Sequence, residues 1–288
     1  MTFQERMACL AQYGVAAIGQ SSTIRGLLGL KGAAFKAHWF PRENEPSTFP
    51  PLDQALLDPS GLLAIGGKAS ACSLHAAFRK GIFICNQAHQ PTKWWSPDPR
   101  MVLFPEDIYL QKTLKRLIRN DRFAISIDQA FAEVVDACAY PRANSPENWV
   151  HPLKDAYKAL FNQGHAFSIE AWDQEGNLAG GVFGLTSGRH LSVESMFTRV
   201  NHASKIALAH LCAHLRHWDY PLIDMQMPTS HLASLGCRAI FRDEYLSILE
   251  QSINKESVAK PWAIEVKPDD KGAPILLEQP TLKVAATG

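Results

Sequence analysis

From residue 108 onward, apolar residues recur first at the spacing of helices and then at the spacing of strands. The helical spacing predicts helices over residues 108–122, 128–140, 153–163, 203–218 and 243–251, and one more short helix that begins at Ser230. The alternating spacing predicts strands over residues 167–172, 178–185, 190–197 and 221–226. Three consecutive strands, a helix, another strand and further helices are the order of an α+β fold with a mixed, mainly antiparallel sheet.

The pattern also divides the chain into four predicted parts. These are an N-terminal extension over 1–48, a small α/β domain over 49–105, a larger domain over 106–254 and a loosely held tail over 255–288. Within the first two parts, apolar spacing predicts a weak helix over 7–18 and a helix over 72–80.

Composition narrows the class of protein. Of 288 residues, 46% are hydrophobic and 20% are charged, which is typical of a globular chain rather than a disordered one. The net charge of +1 provides no global cationic field, so any contact with nucleic acid must come from a local patch. The six cysteines form no Cys-x-x-Cys pair and no zinc-ligand cluster, and no apolar run reaches membrane length. We therefore expect a globular protein of the reducing cytosol that binds no metal.

One cationic stripe could supply such a patch. Its members share one face of the helix predicted over 108–122, and they are Lys112, Lys115, Arg116, Arg119 and Arg122. This arrangement suits a phosphate backbone, but charge alone favours an ordinary solvated helix face.

Three polar residues stand out on the predicted strands. Glu194 lies within the otherwise apolar strand 190–197, and Asp224 and Gln226 lie two residues apart on strand 221–226. Because side chains alternate along a strand, Asp224 and Gln226 are predicted to share a face. A carboxylate and an amide together can bind an amine and guide its proton, although a solvated edge strand would show the same pattern.

Trp94 and Trp95 begin a run in which Pro97 and Pro99 fix φ and remove backbone donors, so residues 93–100 are predicted to form a rigid loop. Paired tryptophans are typical either of a core or of a stacking platform for bases.

These segments belong to an ordered series of motifs. The series reads Asp-Pro-Ser-Gly-Leu-Leu-Ala-Ile-Gly-Gly at 58–67, Arg-Lys-Gly-Ile-Phe at 79–83, Trp-Trp-Ser-Pro-Asp-Pro-Arg at 94–100, Ser-Ile-Glu-Ala-Trp at 168–172, Glu-Ser-Met-Phe at 194–197, Leu-Ile-Asp-Met-Gln at 222–226 and Ala-Ser-Leu-Gly at 233–236. In this order the motifs resemble the leucyl/phenylalanyl-tRNA–protein transferase family.

The resemblance implies an N-acetyltransferase-like (GNAT) larger domain and transfer of Leu or Phe from tRNA to a protein that begins with Arg or Lys. The product is a destabilising N-terminus that marks the acceptor for proteolysis. The reaction needs no cofactor, because the aminoacyl ester is already activated, and a monomer is expected. The cationic stripe would meet the acceptor stem of the tRNA.

The resemblance also assigns residues. Asp224 and Gln226 would be the catalytic pair, with Glu194 beside them, and Trp149 and Tyr157 would surround the aminoacyl-adenosine. Further residues expected to contact the substrate are Val193, Ser195, Met196, Phe197, Trp94 and Trp95.

The chain departs from the family pattern at Lys68, Cys85, Phe167, Leu191, Val193 and Thr229. Cys85 removes an aromatic platform expected near the terminal adenosine. Val193 replaces a glycine on the strand expected to line the aminoacyl pocket, and added carbons in a pocket change selectivity. These departures predict an altered donor amino acid or an altered acceptor.

Three alternatives stay open. The same reaction could act on a peptide or small-molecule amine, or the chain could bind tRNA without catalysis. An acetyl-CoA-dependent N-acetyltransferase is disfavoured, because residues 198–205 contain no glycine to cradle a pyrophosphate.

Overall fold

The computed structural model describes residues 37–41, 44–85, 91–140, 150–258, 262, 266–269 and 271–276. The helix predicted over 7–18 and the proposed substrate residue Trp149 lie outside these residues.

The described helices and strands have the following bounds. The helices are α1 (Ala71–Phe78), α2 (Lys112–Arg119), α3 (Phe131–Cys138), α4 (Lys154–Asn162), α5 (Ala203–His217), α6 (Ser230–Ala233) and α7 (Arg242–Ile253). The strands are β1 (His38–Phe40), β2 (Leu62–Gly66), β3 (Phe83–Ile84), β4 (Lys93–Trp95), β5 (Arg100–Leu103), β6 (Ala124–Ile127), β7 (Ala166–Trp172), β8 (Leu178–Ser187), β9 (His190–Thr198), β10 (Ile223–Gln226), β11 (Arg238–Ile240), β12 (Val266–Pro268) and β13 (Pro274–Leu276).

A mixed sheet forms the centre of the fold. Among the described residues it has seven strands in the order β11-β5-β10-β9-β8-β7-β6. Strands β9 and β10 are parallel, and the other neighbours in this sheet are antiparallel. The prediction of an α+β fold with a mixed, mainly antiparallel sheet is therefore confirmed.

Helices cover both faces of this sheet and create two cores. One core contains Phe131, Tyr157 and Phe183 together with small-domain residues such as Phe78. The other contains residues of α2 and α5 packed against the opposite side chains of the sheet, including Val193. Which core a strand residue joins therefore decides whether it can reach the site described below.

A second sheet has the order β1-β2-β4-β3 in the described part of the chain. The prediction of a loop over 93–100 is wrong at its start, because Trp94 and Trp95 belong to β4 and are only 0% and 1% exposed. Their indole N–H groups donate to the backbone oxygens of Gly66 and Cys85, each at 3.0 Å. Aromatic residues favour strands, and the two prolines, Pro97 and Pro99, come after the end of β4.

The helix predicted over 108–122 is shorter than expected. A single 3₁₀ turn occupies Pro105–Asp107, and α2 begins only at Lys112. The backbone N–H of Tyr109 donates instead to the carbonyl of Leu235 at 2.9 Å, which ties this segment to the end of α6.

The tail is not loosely held throughout. Strands β12 and β13 pair as an antiparallel hairpin, and the Arg216 guanidinium donates to the carbonyl of Pro274 at 2.9 Å. Gly272, with φ of +77°, lies so close to α2 that a Cβ there would be 2.7 Å from the carbonyl oxygen of Lys115. Trp262 is buried in the second core. None of the described helices combines the length and apolar character that crossing a bilayer requires.

Candidate active site

Two β-bulges direct three polar side chains into one region. In β9, Val193 pairs with Gly184 and Ser195 with Phe183, so Glu194 is the extra residue of a bulge. In β10, the pairing with β5 also shifts between Asp224 and Gln226. Bulges change the direction of side chains and are frequent next to active sites.

A small cavity lies between these strands and the residues of α1 and β3. Its volume is about 10 Å³, close to the space that one water molecule needs. Its polar lining consists of Ser192, Glu194, Asp224 and Gln226, and its apolar lining consists of Leu74, Ala77, Phe78, Ile82, Phe83, Ile84 and Leu185.

Asp224 is buried in an ion pair. The Arg100 guanidinium donates twice, from Nε to Oδ1 at 2.7 Å and from Nη2 to Oδ2 at 2.6 Å. The Tyr245 hydroxyl donates to Oδ2 at 2.9 Å, and the backbone N–H of Gln226 donates to Oδ1 at 2.9 Å. Four hydrogen bonds therefore occupy this carboxylate, which is 2% exposed.

The charge state of Asp224 follows from these partners. Burial alone raises the pKa of a carboxyl group, but the neighbouring Arg100 cation outweighs burial and holds the pKa of Asp224 below its ordinary value. Asp224 is therefore a fixed anion whose lone pairs are already engaged, and it is poorly suited to accept a proton.

Arg100 was not predicted as a site residue. It is 1% exposed, and its guanidinium lies between the rings of Phe83 and Tyr245, with 4.6 Å from Cζ to each ring centroid. Its Nη1 donates to the carbonyl of Gly81 at 2.9 Å. The sequence contains one signal for the burial of Arg100. This residue directly precedes the apolar residues of β5, and a charged side chain at the start of a buried strand needs a partner of opposite charge.

Glu194 has a different environment. It accepts hydrogen bonds from Ser192 Oγ at 2.7 Å, from Gln226 Nε2 at 2.9 Å and from the Tyr157 hydroxyl at 2.9 Å. All three donors are neutral, and the carboxylate is 7% exposed. Burial raises the pKa of Glu194, the Asp224 charge adds to this effect, and the hydrogen bonds oppose it.

Gln226 connects the two acids. Its side chain donates to Glu194 while its backbone N–H donates to Asp224. Its φ of +66° is unusual for a residue other than glycine, and such backbone strain is concentrated at functional sites. The backbone of Gln226 is thus held by the fixed anion and its amide is aimed at the other acid.

The other predicted substrate residues do not all lie on the same face of the main sheet. Tyr157 is fully buried and reaches Glu194, but Val193 and Met196 pack on the opposite face of the sheet. Val193 therefore does not line the cavity that holds Glu194, because adjacent residues of a strand point to opposite faces of the sheet. Phe197 packs in the first core, and Ser195 is half-buried outside the cavity lining.

The stacking platform predicted at Trp94 and Trp95 is also absent from the site. Both indoles are buried, Trp94 in the first core and Trp95 in a smaller cluster with Leu62 and Ile65, so neither face is open to a base. Their core position follows from the strand pairing of β4 with β2 and β3.

Several departures from the family pattern have local structural roles. Thr229 is the N-cap of α6, where its Oγ1 accepts from the N–H of Leu232 at 3.2 Å. Phe167 packs beside Trp262, with ring centroids 5.7 Å apart. Lys68 pairs with Glu45 at 3.1 Å. Burial raises the pKa of the Cys85 thiol to about 11, so this thiol stays protonated near neutral pH.

Four members of the cationic stripe lie on the outer side of α2, away from the cavity, and Arg122 follows the end of this helix. Leu114 and Ile118 bury the inner side of this helix. Lys112, Arg116 and Arg119 are exposed, and Lys115 and Arg122 are half-buried. In the described part of the chain, none of these five cations has an ion-pair partner. No cluster of three or more His, Cys, Asp or Glu side chains suited to a metal ion occurs among the described residues.

Comparison with known sequences gives close matches. The family described as leucyl/phenylalanyl-tRNA protein transferase matches residues 102–250. A leucyl/phenylalanyl-tRNA–protein transferase of Pseudomonas syringae pv. syringae is 45% identical over 212 residues, which cover 73% of this chain and 92% of that protein. The protein of the same name from Aeromonas hydrophila is 46% identical over 221 residues, covering 76% of this chain and 94% of that one.

Solved structures give much weaker matches. The structure of L-PGS from Bacillus licheniformis has 11% identity and a TM-score of 0.29 over 57% of this chain and 52% of that chain. A conserved protein of unknown function from Staphylococcus epidermidis has 12% identity and a TM-score of 0.34 over 62% and 68%. Scores this low assign no fold.

Proposed function

The chain belongs to the leucyl/phenylalanyl-tRNA–protein transferase family, and we propose that it transfers Leu or Phe from an aminoacyl-tRNA to the α-amine of an acceptor protein. The acceptor begins with Arg or Lys, and the reaction is direct attack of the amine on the ester. The observation that carries this proposal is the buried arrangement of Glu194, Gln226 and Asp224, in which one acid is charge-compensated and the other is not.

This reaction asks little of the enzyme beyond position and one proton transfer. The ester is already activated, and a free α-amine has a pKa of roughly 7.7–8.0. Holding ester and amine together contributes up to about 7–11 kcal/mol to lowering the barrier. The remaining requirement is a group that accepts the proton released when the amine attacks.

Glu194 is the better proton acceptor of the two acids. Its raised pKa brings its basicity closer to that of the amine, whereas the Arg100 ion pair keeps Asp224 ionised and weakly basic. In this proposal Glu194 takes the proton from the amine that attacks the ester carbonyl and passes it to the ribose oxygen released when the C–O bond of the ester breaks. Gln226 orients the amine, and Asp224 holds the strained backbone of Gln226. The catalytic pair implied by the resemblance, Asp224 and Gln226, thereby becomes an anchor and an orienting amide.

The apolar part of the cavity is the proposed pocket for the donor side chain. Leu74 and Phe78 come from α1, Ile82 and Ile84 come from β3 and the residue just before it, and Leu185 comes from the main sheet. A leucine or phenylalanine side chain is much larger than about 10 Å³, so binding must separate these two walls. We therefore expect the small domain to move outward when the donor enters.

The remaining assignments complete the proposal. The tRNA acceptor stem lies along the cationic stripe of α2, where each phosphate contact adds salt-sensitive affinity. The sheet order, with α5 between the parallel strands β9 and β10, supports an N-acetyltransferase-like (GNAT) arrangement. The free thiols of Cys72, Cys85, Cys138, Cys212 and Cys237 support a reducing, cytoplasmic setting, and we expect a monomer.

The direct test uses a pool of tRNAs charged with labelled amino acids and a peptide that begins with Arg. We expect label from Leu or Phe to appear on this peptide and not on the same peptide with an acetylated N-terminus. Transfer of a different amino acid would contradict the proposed donor. Binding of the tRNA with no transfer to any amine would contradict catalysis itself.

A further inference from the structure

One buried histidine lies behind the site without a role in the reaction described above. His190 begins β9 and is 0% exposed. Its ring lies between Phe78 and Tyr245, with centroid distances of 5.2 Å and 5.8 Å. Its Nε2 is 3.3 Å from the Tyr245 hydroxyl, while no described group forms a hydrogen bond with Nδ1.

The partners of Tyr245 determine where the protons are. Asp224 is an ionised carboxylate, so it can only accept, and the Tyr245 hydroxyl must donate its single proton to Asp224 at 2.9 Å. The Tyr245 oxygen is then left as an acceptor for His190. The contact at 3.3 Å is consequently a hydrogen bond in which His190 Nε2–H is the donor.

This arrangement also explains the unpartnered nitrogen. A neutral imidazole carries one N–H, so a proton on Nε2 leaves Nδ1 as a bare acceptor. The opposite tautomer would bury an N–H donor without an acceptor, which is the more costly arrangement. Burial lowers the pKa of His190 to about 4, with the Arg100 charge assisting and the Asp224 charge opposing, so the ring is neutral at physiological pH.

We propose, resting on the proposed function above, that His190 is a positioning residue for aminoacyl transfer: its Nε2–H directs the Tyr245 hydroxyl proton onto Asp224. The direction of this proton affects the site because the Asp224 carboxylate that accepts it also accepts the backbone N–H of Gln226. Gln226 then presents its amide to Glu194. The hydrogen bonds from His190 and Tyr245 lead to the Asp224 carboxylate, which also accepts the backbone N–H of Gln226. These contacts connect His190, which lies outside the cavity lining, with the proposed proton acceptor.

Removing the donor tests the role through kinetics. His190→Leu leaves the Tyr245 hydroxyl free to rotate away from Asp224, and we expect kcat to fall roughly 2- to 10-fold, the effect of one neutral hydrogen bond, with little change in the KM for aminoacyl-tRNA. His190→Gln places an amide N–H near the position of Nε2 and should restore most of kcat. Equal losses in both variants would overturn the proposal.

A double-mutant cycle separates positioning from simple loss of packing. If His190 acts through the Tyr245 hydroxyl, His190→Leu should have no further effect on kcat in a Tyr245→Phe background. A loss of the same size in both backgrounds would show that the imidazole acts by another route and would overturn the proposal.

The proton arrangement can be measured without any activity assay. In protein labelled with ¹⁵N-histidine, the resonances lost in His190→Gln identify His190, and we expect a protonated Nε2 with an unprotonated Nδ1. Finding the proton on Nδ1 would overturn the inference. A wild-type protein that transfers no amino acid would instead contradict the proposed function, so the two failures are distinguishable.

Discussion

The surroundings of Asp224 and Glu194 differ although both acids line the same cavity. Asp224 receives two hydrogen bonds from the Arg100 cation, whereas Glu194 receives its hydrogen bonds from the neutral groups of Ser192, Gln226 and Tyr157. Burial acts on both carboxyl groups in the same direction. The Arg100 cation outweighs burial and lowers the pKa of Asp224, while burial, with the Asp224 charge adding to it, raises the pKa of Glu194.

This difference teaches how one cavity can hold an anchor and a base. A buried acid paired with a cation stays ionised and fixes its neighbours, whereas a buried acid without one has a raised pKa and is the stronger base. Gln226 joins the two, so the geometry imposed by the anchor is transmitted to the base.

The largest expected effect comes from removing the proposed base. Glu194→Gln keeps the shape of the side chain but cannot accept a proton, so we expect the rate of transfer to fall by about 10²–10⁴-fold. The rate would be measured as label transferred from aminoacyl-tRNA to a peptide that begins with Arg. Glu170→Gln is the matched control, because Glu170 is buried on β7 outside the cavity and accepts from Ser126 and Ser168. Wild-type activity in Glu194→Gln would show that the base lies elsewhere.

The second-largest effect is expected in the stability of the fold when Asp224, the anchor, loses its ion-pair partner. Arg100→Met leaves the Asp224 carboxylate buried without its cation, so we expect the free energy of unfolding to fall by about 3–5 kcal/mol. Urea denaturation measures this change, with Arg119→Met on the exposed side of α2 as the control.

A second substitution sharpens the same test. Adding Asp224→Leu to Arg100→Met removes the uncompensated charge, and we expect much of the lost stability to return although transfer stays impaired. If the double variant were no more stable than Arg100→Met, the loss would reflect packing of the guanidinium between Phe83 and Tyr245 instead.

A smaller effect should appear in the pH dependence. The Tyr157 hydroxyl donates to the charged form of Glu194 and so lowers its pKa. Tyr157→Phe removes this hydrogen bond, which should raise the pKa of Glu194. The part of the pH profile in which kcat/KM rises with pH should therefore move to higher pH. At pH values on the acid side of this rise, we expect activity about tenfold lower than that of the wild type. A shift to lower pH, or no shift, would argue against Glu194 as the base.

The smallest expected effect lies on the cationic stripe. Arg116→Gln should weaken tRNA binding and reduce the slope of log affinity against log salt by about 0.7–0.9, the loss of one phosphate contact. Filter binding over a range of salt concentrations measures this slope, and Lys255→Gln is a control at an exposed position on the tail. An unchanged slope would remove α2 from the tRNA path.

The sequence predicts the long elements around the site because their patterns are strong. The strand predicted over 190–197 is β9, and the helix predicted over 203–218 is α5. Strands β6 and β11 were missed, since each is short, lies at a sheet edge and is incompletely buried. Short edge strands carry too little alternation to be recognised.

The site could be predicted only in part, because its key contacts are distant in sequence. Glu194, Asp224 and Gln226 are visible as polar residues on apolar strands, but Arg100 lies 124 residues from its partner Asp224. The two bulges are also invisible to a rule of strict alternation.

The most direct test of the account is a ¹³C NMR titration of the side-chain carboxyl groups, with Glu194→Gln and Asp224→Asn used to assign the two resonances. The account predicts that Glu194 titrates above the ordinary pKa of glutamate and that Asp224 titrates below the ordinary pKa of aspartate. The reverse order, with Asp224 protonating at the higher pH, would contradict the assignment of anchor and base.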